Sequence, residues 1–377
     1  MIRLPDYPEG MSDSVTLFMC GDVMTGRGID QVMPSSCDPR LYEGFVRDAG
    51  FYVTLAERRK GTIEAPVTLD YVWGYALKEL EHFKPEVRLI NLETSITCHP
   101  EPWPDKGIHY RMHPDNAAFL NKAGISACAL ANNHLLDWGR PGLTETLKVL
   151  SGQGVAHAGA GPDLPAASEP ARLKLGAGKR VLIWSLGFAN SGIPPDWAAL
   201  EDRSGVWWAW EPSVDSAEVV AERIRAEQRP GDLVVVSVHW GGNWGYEIPP
   251  GHRAFAHRLI DAGAHLIHGH SSHHPKGMEL YRGAPILYGC GDFINDYEGI
   301  GGHESFHPQL TLMYFGRFGL ETGKLERFWM TPLRIERFSL HRAERHEAQT
   351  LCDIMNRERA EDSPSIERDG QDRLRWV

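Results

Sequence analysis

Short apolar runs separated by segments of helical periodicity organise this chain. The runs are Val15–Cys20, Val87–Leu92, Ser126–Ala131, Arg180–Leu186, Leu233–Val238, His265–His268, Pro285–Tyr288 and Leu310–Phe315, all of strand length. Between them the apolar spacing predicts helices over 72–83, 115–123, 141–152, 214–228, 251–262 and 343–358. Pro114-Asp115 and Pro141 suit first-turn positions, Asp215 and Ser216 precede a periodic run, and Gly154 and Gly263 follow the ends. Strands alternating with helices predict a sheet covered by helices, an α/β architecture rather than an all-β sandwich. Segments 161–171 and 190–213 read as ordered loops. After residue 320 the stretch GKLERFWMTPLRIERFSL predicts a strand pair, then a charged helix and tail. The expected division is a main unit over 1–320 and an extension over 321–377 that belongs to the same domain.

Composition narrows the function classes. The 377 residues, 42% hydrophobic and 24% charged, are those of an ordinary globular protein. A net charge of −11 argues against nucleic acid as a partner, because such binding depends on neutralising phosphates. The six cysteines form no C-x-x-C pair, so neither a zinc ribbon nor a disulfide scaffold is indicated. The amino terminus, MIRLPDYPEGMSDS, has no basic-then-apolar signal pattern. No run reaches the roughly 18 apolar residues of a membrane span. The expectation is a cytoplasmic protein with no membrane partner; oligomeric state is not encoded in these features.

Candidate chemistry lies just after the apolar runs, where α/β sheets build ligand sites. There stand Cys20-Gly21-Asp22, Asn91-Leu92-Glu93, Asn132-Asn133-His134, His239-Trp240-Gly241 and His268-Gly269-His270. Carboxylates, amides and imidazoles converging on one centre make a mixed oxygen and nitrogen site for a divalent cation. Eight of the 18 histidines fall between His239 and His274. His252, His257 and His265 suit structural roles, whereas His268 and His270, two apart on a strand, face the same way.

The series CGDVMTGR, NLETSI, ANNHLLDWG, VSVHWG, HGHSSHHPKGMELYRG and ILYGCGDFIND resembles the CapA family of capsule and poly-γ-glutamate synthesis proteins, a branch of the calcineurin-like metallophosphoesterase superfamily. The resemblance runs from about residue 15 to 300. It implies a four-layer α/β/β/α sandwich with a metal centre at the strand ends. It makes Asp22, Glu93, Asn133, His239 and His268 and/or His270 the metal ligands, with Glu93 in the bridging position and His134 facing substrate. The family pattern places its late histidines at His270 and His273, so that register stays open.

The chain also departs from the superfamily. Where a phosphoesterase begins D-x-H, this sequence has Asp22-Val23-Met24, and a thioether is a poor partner for hard cations. One metal, Ca²⁺, Mg²⁺, Mn²⁺ or Zn²⁺, is the expected cofactor. Histidine and aspartate recur together as His134 with Asp137, and as His273/His274 with Asp292 and Asp296. Two such pairs on opposite sides of a substrate suit proton removal and return at a carbon. The resemblance gives that idea a context, since some calcineurin-like relatives epimerise peptides and CapA pathways make D-glutamate-containing polymers. The expected activity is a metal-dependent epimerase, an isomerase acting on a peptide or polyglutamyl substrate. His134, Asp137, His273, Asp292 and His303 are the candidate catalytic residues, and Arg27, Trp240 and Trp244 the candidate substrate contacts. A phosphoester hydrolase and a non-catalytic accessory protein of polymer synthesis are the alternatives.

Overall fold

The structure, a computed structural model, describes residues 2–3, 14–176 and 178–377; most of the polar amino-terminal stretch lies outside the described residues. Strands β1 (Ser14–Val23), β2 (Val87–Leu92), β3 (Ala127–Ala129) and β4 (Ala156–Ala158) run parallel and adjacent. The chain then builds a second sheet from β5 (Ala171–Lys174), β6 (Arg180–Phe188), β7 (Leu233–His239), β8 (Leu266–His270), β9 (Met278–Tyr281) and β10 (Ala284–Leu287). Its order is β5-β6-β7-β8-β10-β9, and β6, β7, β8 and β10 are parallel. Finally it returns to the first sheet with β11 (Asp292–Ile294), β12 (Leu310–Gly319) and β13 (Leu325–Glu336). β12 runs antiparallel to both β1 and β13, so residues past 320 extend the same sheet.

Side-chain alternation builds the layers. Val15, Leu17 and Met19 of β1 share one core with Val181, Ile183, Leu233 and Val235 of the second sheet. Their neighbours Phe18 and Cys20 face away, into a second core with Ala56, Ala76, Leu80, Leu143 and Leu150 from covering helices. Leu182, Trp184, Val234 and Val236 point outward from the second sheet onto Ala217, Val220, Phe255 and Leu259 of the helices Val214–Glu227 and Pro250–Asp261. Two sheets packed face to face with helices outside both form a four-layer α/β/β/α sandwich. No helix among the described residues is long and apolar enough to cross a membrane.

Several elements differ from the sequence expectation. The helix Gly50–Lys60 carries no apolar stripe that would announce it, because only Tyr52 and Ala56 are buried. The predicted 115–123 helix divides into a 3-10 turn at Pro114–Asn116 and a short helix, Phe119–Lys122. Segment 190–213 contains the short strands Gly205–Val206 and Trp208–Ala209.

Candidate functional site

The carboxyl ends of both sheets meet at one place. Asp22 closes β1 beside Asp292, because β11 pairs in parallel with β1 at that register. Gly21 permits the approach: a Cβ there would meet the Gly291 carbonyl oxygen at 1.7 Å. From β2 and its end, Asn91 and Glu93 project on the same face. The Asn91 amide donates to Asp22 Oδ1 and to Glu93 Oε2, both at 2.8 Å, and so holds the two carboxylates together. Burial, reinforced by Asp292, pushes the Asp22 carboxyl up to about 7. Burial followed by Asp22 and Asp292 also raises Glu93. Asp22 Oδ2 is buried without a hydrogen-bond partner among the described residues.

From the second sheet come three imidazoles whose protons the hydrogen bonds locate. His268 Nε2–H donates to the Cys20 carbonyl (2.8 Å), which leaves its Nδ1 to accept from the Ser237 hydroxyl (3.0 Å). The Ser237 oxygen is then free to accept from His270 Nε2–H at 2.9 Å. His270 therefore turns an unprotonated Nδ1 toward His239 Nδ1, 2.8 Å away. His239 donates its Nε2–H to the Asn133 carboxamide oxygen at 3.2 Å. Two facing lone pairs beside buried carboxylates repel one another unless a cation lies among them. Burial holds His239 and His270 well below the usual histidine range, which keeps them neutral and ligand-ready. The donor atoms of Asp22, His239 and His270 all lie within 4.8 Å of one another, as do those of Asp22, His273 and Asp292. This donor set, with the orphaned Asp22 oxygen, fits a divalent cation of mixed oxygen and nitrogen preference.

Two histidine-aspartate pairs flank these groups. His134 Nδ1–H donates to Asp137 Oδ2 at 2.7 Å, and Lys106 Nζ donates to Asp137 Oδ1 at 2.6 Å. Burial, followed by Lys106, lowers His134 to about 4 despite Asp137. His273 Nδ1–H donates to Asp292 Oδ1 at 2.7 Å, and Asn295 holds the other Asp292 oxygen at 2.8 Å. Burial opposes the charge on His273, but Asp292 and, behind it, Asp22 together outweigh it and the imidazole is raised above its ordinary value. Tyr110 packs edge-on against His134 with centroids 4.5 Å apart, and Tyr297 against His273 at 5.3 Å. The two phenols meet at 3.0 Å, so a tyrosine pair spans the space between the dyads.

Other expected site residues take different places. His268 spends both ring nitrogens on Cys20 and Ser237, so it orients His270 and has no lone pair left for a cation. Arg27 is buried in a bidentate pair with Asp296, Nη2 to Oδ1 at 2.5 Å, and also binds Glu43 and Tyr52, which leaves it unable to grip a substrate. Asp296 therefore belongs to Arg27 and not to a histidine dyad. Trp240 is buried between His252 and Tyr288, with its N–H on the Tyr288 carbonyl, away from any cleft wall. Trp244 is half-buried 5.4 Å from His273. The exposed His303 stacks on Trp244 at 3.9 Å. Lys106, Tyr110, Ser237 and Tyr297 are not among the expected site residues, although Ser237 lies within the motif VSVHWG. Asn91 carried a signal, its i, i+2 spacing from Glu93.

A family model described as bacterial capsule synthesis protein PGA_cap matches residues 16–297. A probable polyglutamine synthesis accessory protein of Mycobacterium tuberculosis is 49% identical over 349 residues, 92% of each chain. The capsule biosynthesis protein CapA of Bacillus anthracis is 24% identical over 289 residues, 76% of this chain and 61% of that one. Among solved structures, TT1561 of Thermus thermophilus aligns over 83% of this chain and 97% of its own, at 10% identity and a TM-score of 0.35.

Proposed function

The chain belongs to the bacterial capsule synthesis protein family PGA_cap, and from that premise we propose that it serves glutamyl-polymer synthesis as a metal-dependent acid/base enzyme that inverts an α-carbon. The observation that carries this reading is the pair of buried dyads, His134–Asp137 and His273–Asp292, with opposite protonation tendencies beside one ligand cluster. Environments that push two like groups apart assign them as base and acid. His134, its Nδ1–H fixed on Asp137, presents a neutral Nε2 that takes the α-proton from one face. His273, its Nδ1–H fixed on Asp292, presents Nε2–H and delivers a proton to the other face. Asp22, His239 and His270, with Glu93 close by, would hold the cation, which would supply Lewis-acid stabilisation of charge developing on a substrate carbonyl.

An acidic substrate suits the rim. Among the described residues Arg140 hydrogen-bonds to the Ser204 and Asp196 carbonyls and Arg203 to the Ala198 carbonyl, and Arg140 and Arg203 lie near each other with Asp196 beside Arg140, a cationic pair that a ligand carboxylate would suit. Arg140 lies over Trp103 (5.4 Å), whose backbone N–H binds the Asp137 carbonyl at 2.7 Å. The Mycobacterium tuberculosis relative's name, which concerns polyglutamine synthesis, agrees with such a substrate.

Incubating glutamyl peptides in deuterated water with the metal-loaded protein tests the proposal. Solvent deuterium should enter an α-carbon, and His134→Ala and His273→Ala should each slow entry by about 100-fold or more. A second reading rests on the donor group of Asp22, His273 and Asp292, which shares Asp22 with the first as a two-metal hydrolase would. Fast hydrolysis of an aryl phosphate without deuterium entry would replace the epimerase with that hydrolase. Polymer binding with neither reaction would leave the accessory role that the relative's name describes.

A further inference from the structure

Cys37 and Cys98 lie 61 positions apart in sequence, yet their sulfurs are 3.7 Å apart. Neither belongs to the metal cluster or the dyads. Cys37 is buried, and Cys98 is the exposed member of the six free cysteines. The Cys37 S–H donates to the Thr97 carbonyl (3.4 Å), which leaves a sulfur lone pair facing Cys98.

The backbone around both sulfurs is already fixed. Asp30 Oδ2 accepts the Cys37 N–H (2.7 Å), and its Oδ1 accepts the His113 N–H (2.7 Å). Thr97 N–H bonds the Met112 carbonyl at 3.0 Å. Arg111 then clamps the two segments at the residue following each cysteine, with Nη2 on the Asp38 carbonyl (2.9 Å) and Nη1 on the His99 carbonyl (2.8 Å). A disulfide requires sulfurs about 2.0 Å apart and Cβ atoms about 3.8 Å apart. The sulfurs must close by under about 2 Å, and the Arg111 clamp keeps the two segments from separating as they do so.

We propose that Cys37 and Cys98 are a dithiol modification site that small-molecule disulfides convert to an internal Cys37–Cys98 bond. Cys98, the accessible thiol, attacks one sulfur of the oxidant, whose S–S bond breaks and releases one thiol. Cys37 then attacks the Cys98 sulfur, breaks the mixed disulfide and releases the second thiol. The two protein thiols lose two electrons and two protons, which leave on the two released thiols. Cys37 follows the segment that begins at Asp22, and Cys98 follows Glu93 by five positions. The bond therefore ties together the chain leaving two motifs of the candidate site.

The test uses the full chain, folded, with oxidised glutathione as oxidant and intact-mass and peptide analysis as readout. The expected product has lost two hydrogens, carries a Cys37–Cys98 cross-link, and reverts with dithiothreitol. Cys37→Ser should stop at one glutathionyl group on Cys98, and Cys98→Ser should remain unmodified under the same exposure. The oxidised protein should unfold a few degrees above the reduced one, since the bond closes a long loop in a geometry the fold supplies. Persistence of the glutathionyl adduct on the wild-type chain, a cross-link to another cysteine, equal reaction of Cys98→Ser, or a lowered unfolding midpoint would each overturn the proposal.

Discussion

His134 and His273 are both buried beside an aspartate, and burial disfavours charge on each, yet their other neighbours shift them in opposite directions. Lys106 adds a positive charge beside His134, 3.1 Å from Nδ1. His273 instead faces Asp292 and Asp22. Replacing Lys106 with Met should raise His134 from about 4 toward the ordinary value. The acidic limb of a pH profile for deuterium entry should then move toward neutrality, while Lys106→Arg should leave it nearly in place. Arg27 makes a prediction of another kind. Its guanidinium neutralises Asp296 and Glu43, both almost wholly buried. Arg27→Met strands those carboxylates and should cost about 3–5 kcal/mol in denaturant unfolding, so any loss of activity in that variant reflects folding and not substrate contact.

At the scale of elements, the strands were readable and their junctions less so. β2 stands where the apolar run Val87–Leu92 placed it, β7 lies within a residue of its run, and β8 within two. Short, largely apolar runs of strand length leave little else to form. The helix Val214–Glu227 starts at Ser213, whose side chain accepts the Ser216 N–H at 3.1 Å. Ser213→Ala should cost about 1 kcal/mol, measurable as a lower urea midpoint with unchanged slope. The Gly50–Lys60 helix gave no clear pattern because it buries only Tyr52 and Ala56 fully, while Val53 and Leu55 are half-buried and its last turn is exposed. Gly21→Ala, which forces β1 away from Gly291, should loosen the junction that sets Asp22 against Asp292. The expected result is weaker cation binding by titration calorimetry together with a lower unfolding midpoint.

For the whole molecule, buried neutral histidines and buried carboxylates pull stability in opposite directions. His134, His252, His268 and His274 are each lowered to about 4. Between their unfolded value of roughly 6.5 and pH 4, the unfolded chain binds the extra protons, so stability falls as pH falls through that window. Asp22, raised to about 7, gives the opposite slope between its unfolded value and pH 7, and Glu93 acts in the same direction. More groups titrate in the histidine sense, so the unfolding midpoint should drop from pH 7 to pH 4.5. Adding a divalent cation should raise the midpoint, the stability gain being about 2.7 kcal/mol at a hundredfold excess over Kd, and more at pH 8 than at pH 5 because protons compete for the same donors. Chelation should reverse the gain.

Sequence by itself determined the strand cores, the α/β class and the residue types at the strand ends, while the sandwich arrangement came as what the CapA resemblance implied. Those properties are local: an apolar run, a glycine or an Asn-Asn-His triplet acts through its own spacing. Which nitrogen of which histidine is free was decided only in three dimensions. Strand spacing alone does not separate His268 from His270, and the Cys20 carbonyl from the other sheet, together with Ser237, turns one into a support and the other into a donor. Arg27 likewise reads as a ligand-gripping residue until Asp296, 269 positions away, takes its charge. Hydrogen-bond partners and burial come from chain segments brought together by the packed sheets, so protonation, and with it the chemical role of each group, belongs to the tertiary structure.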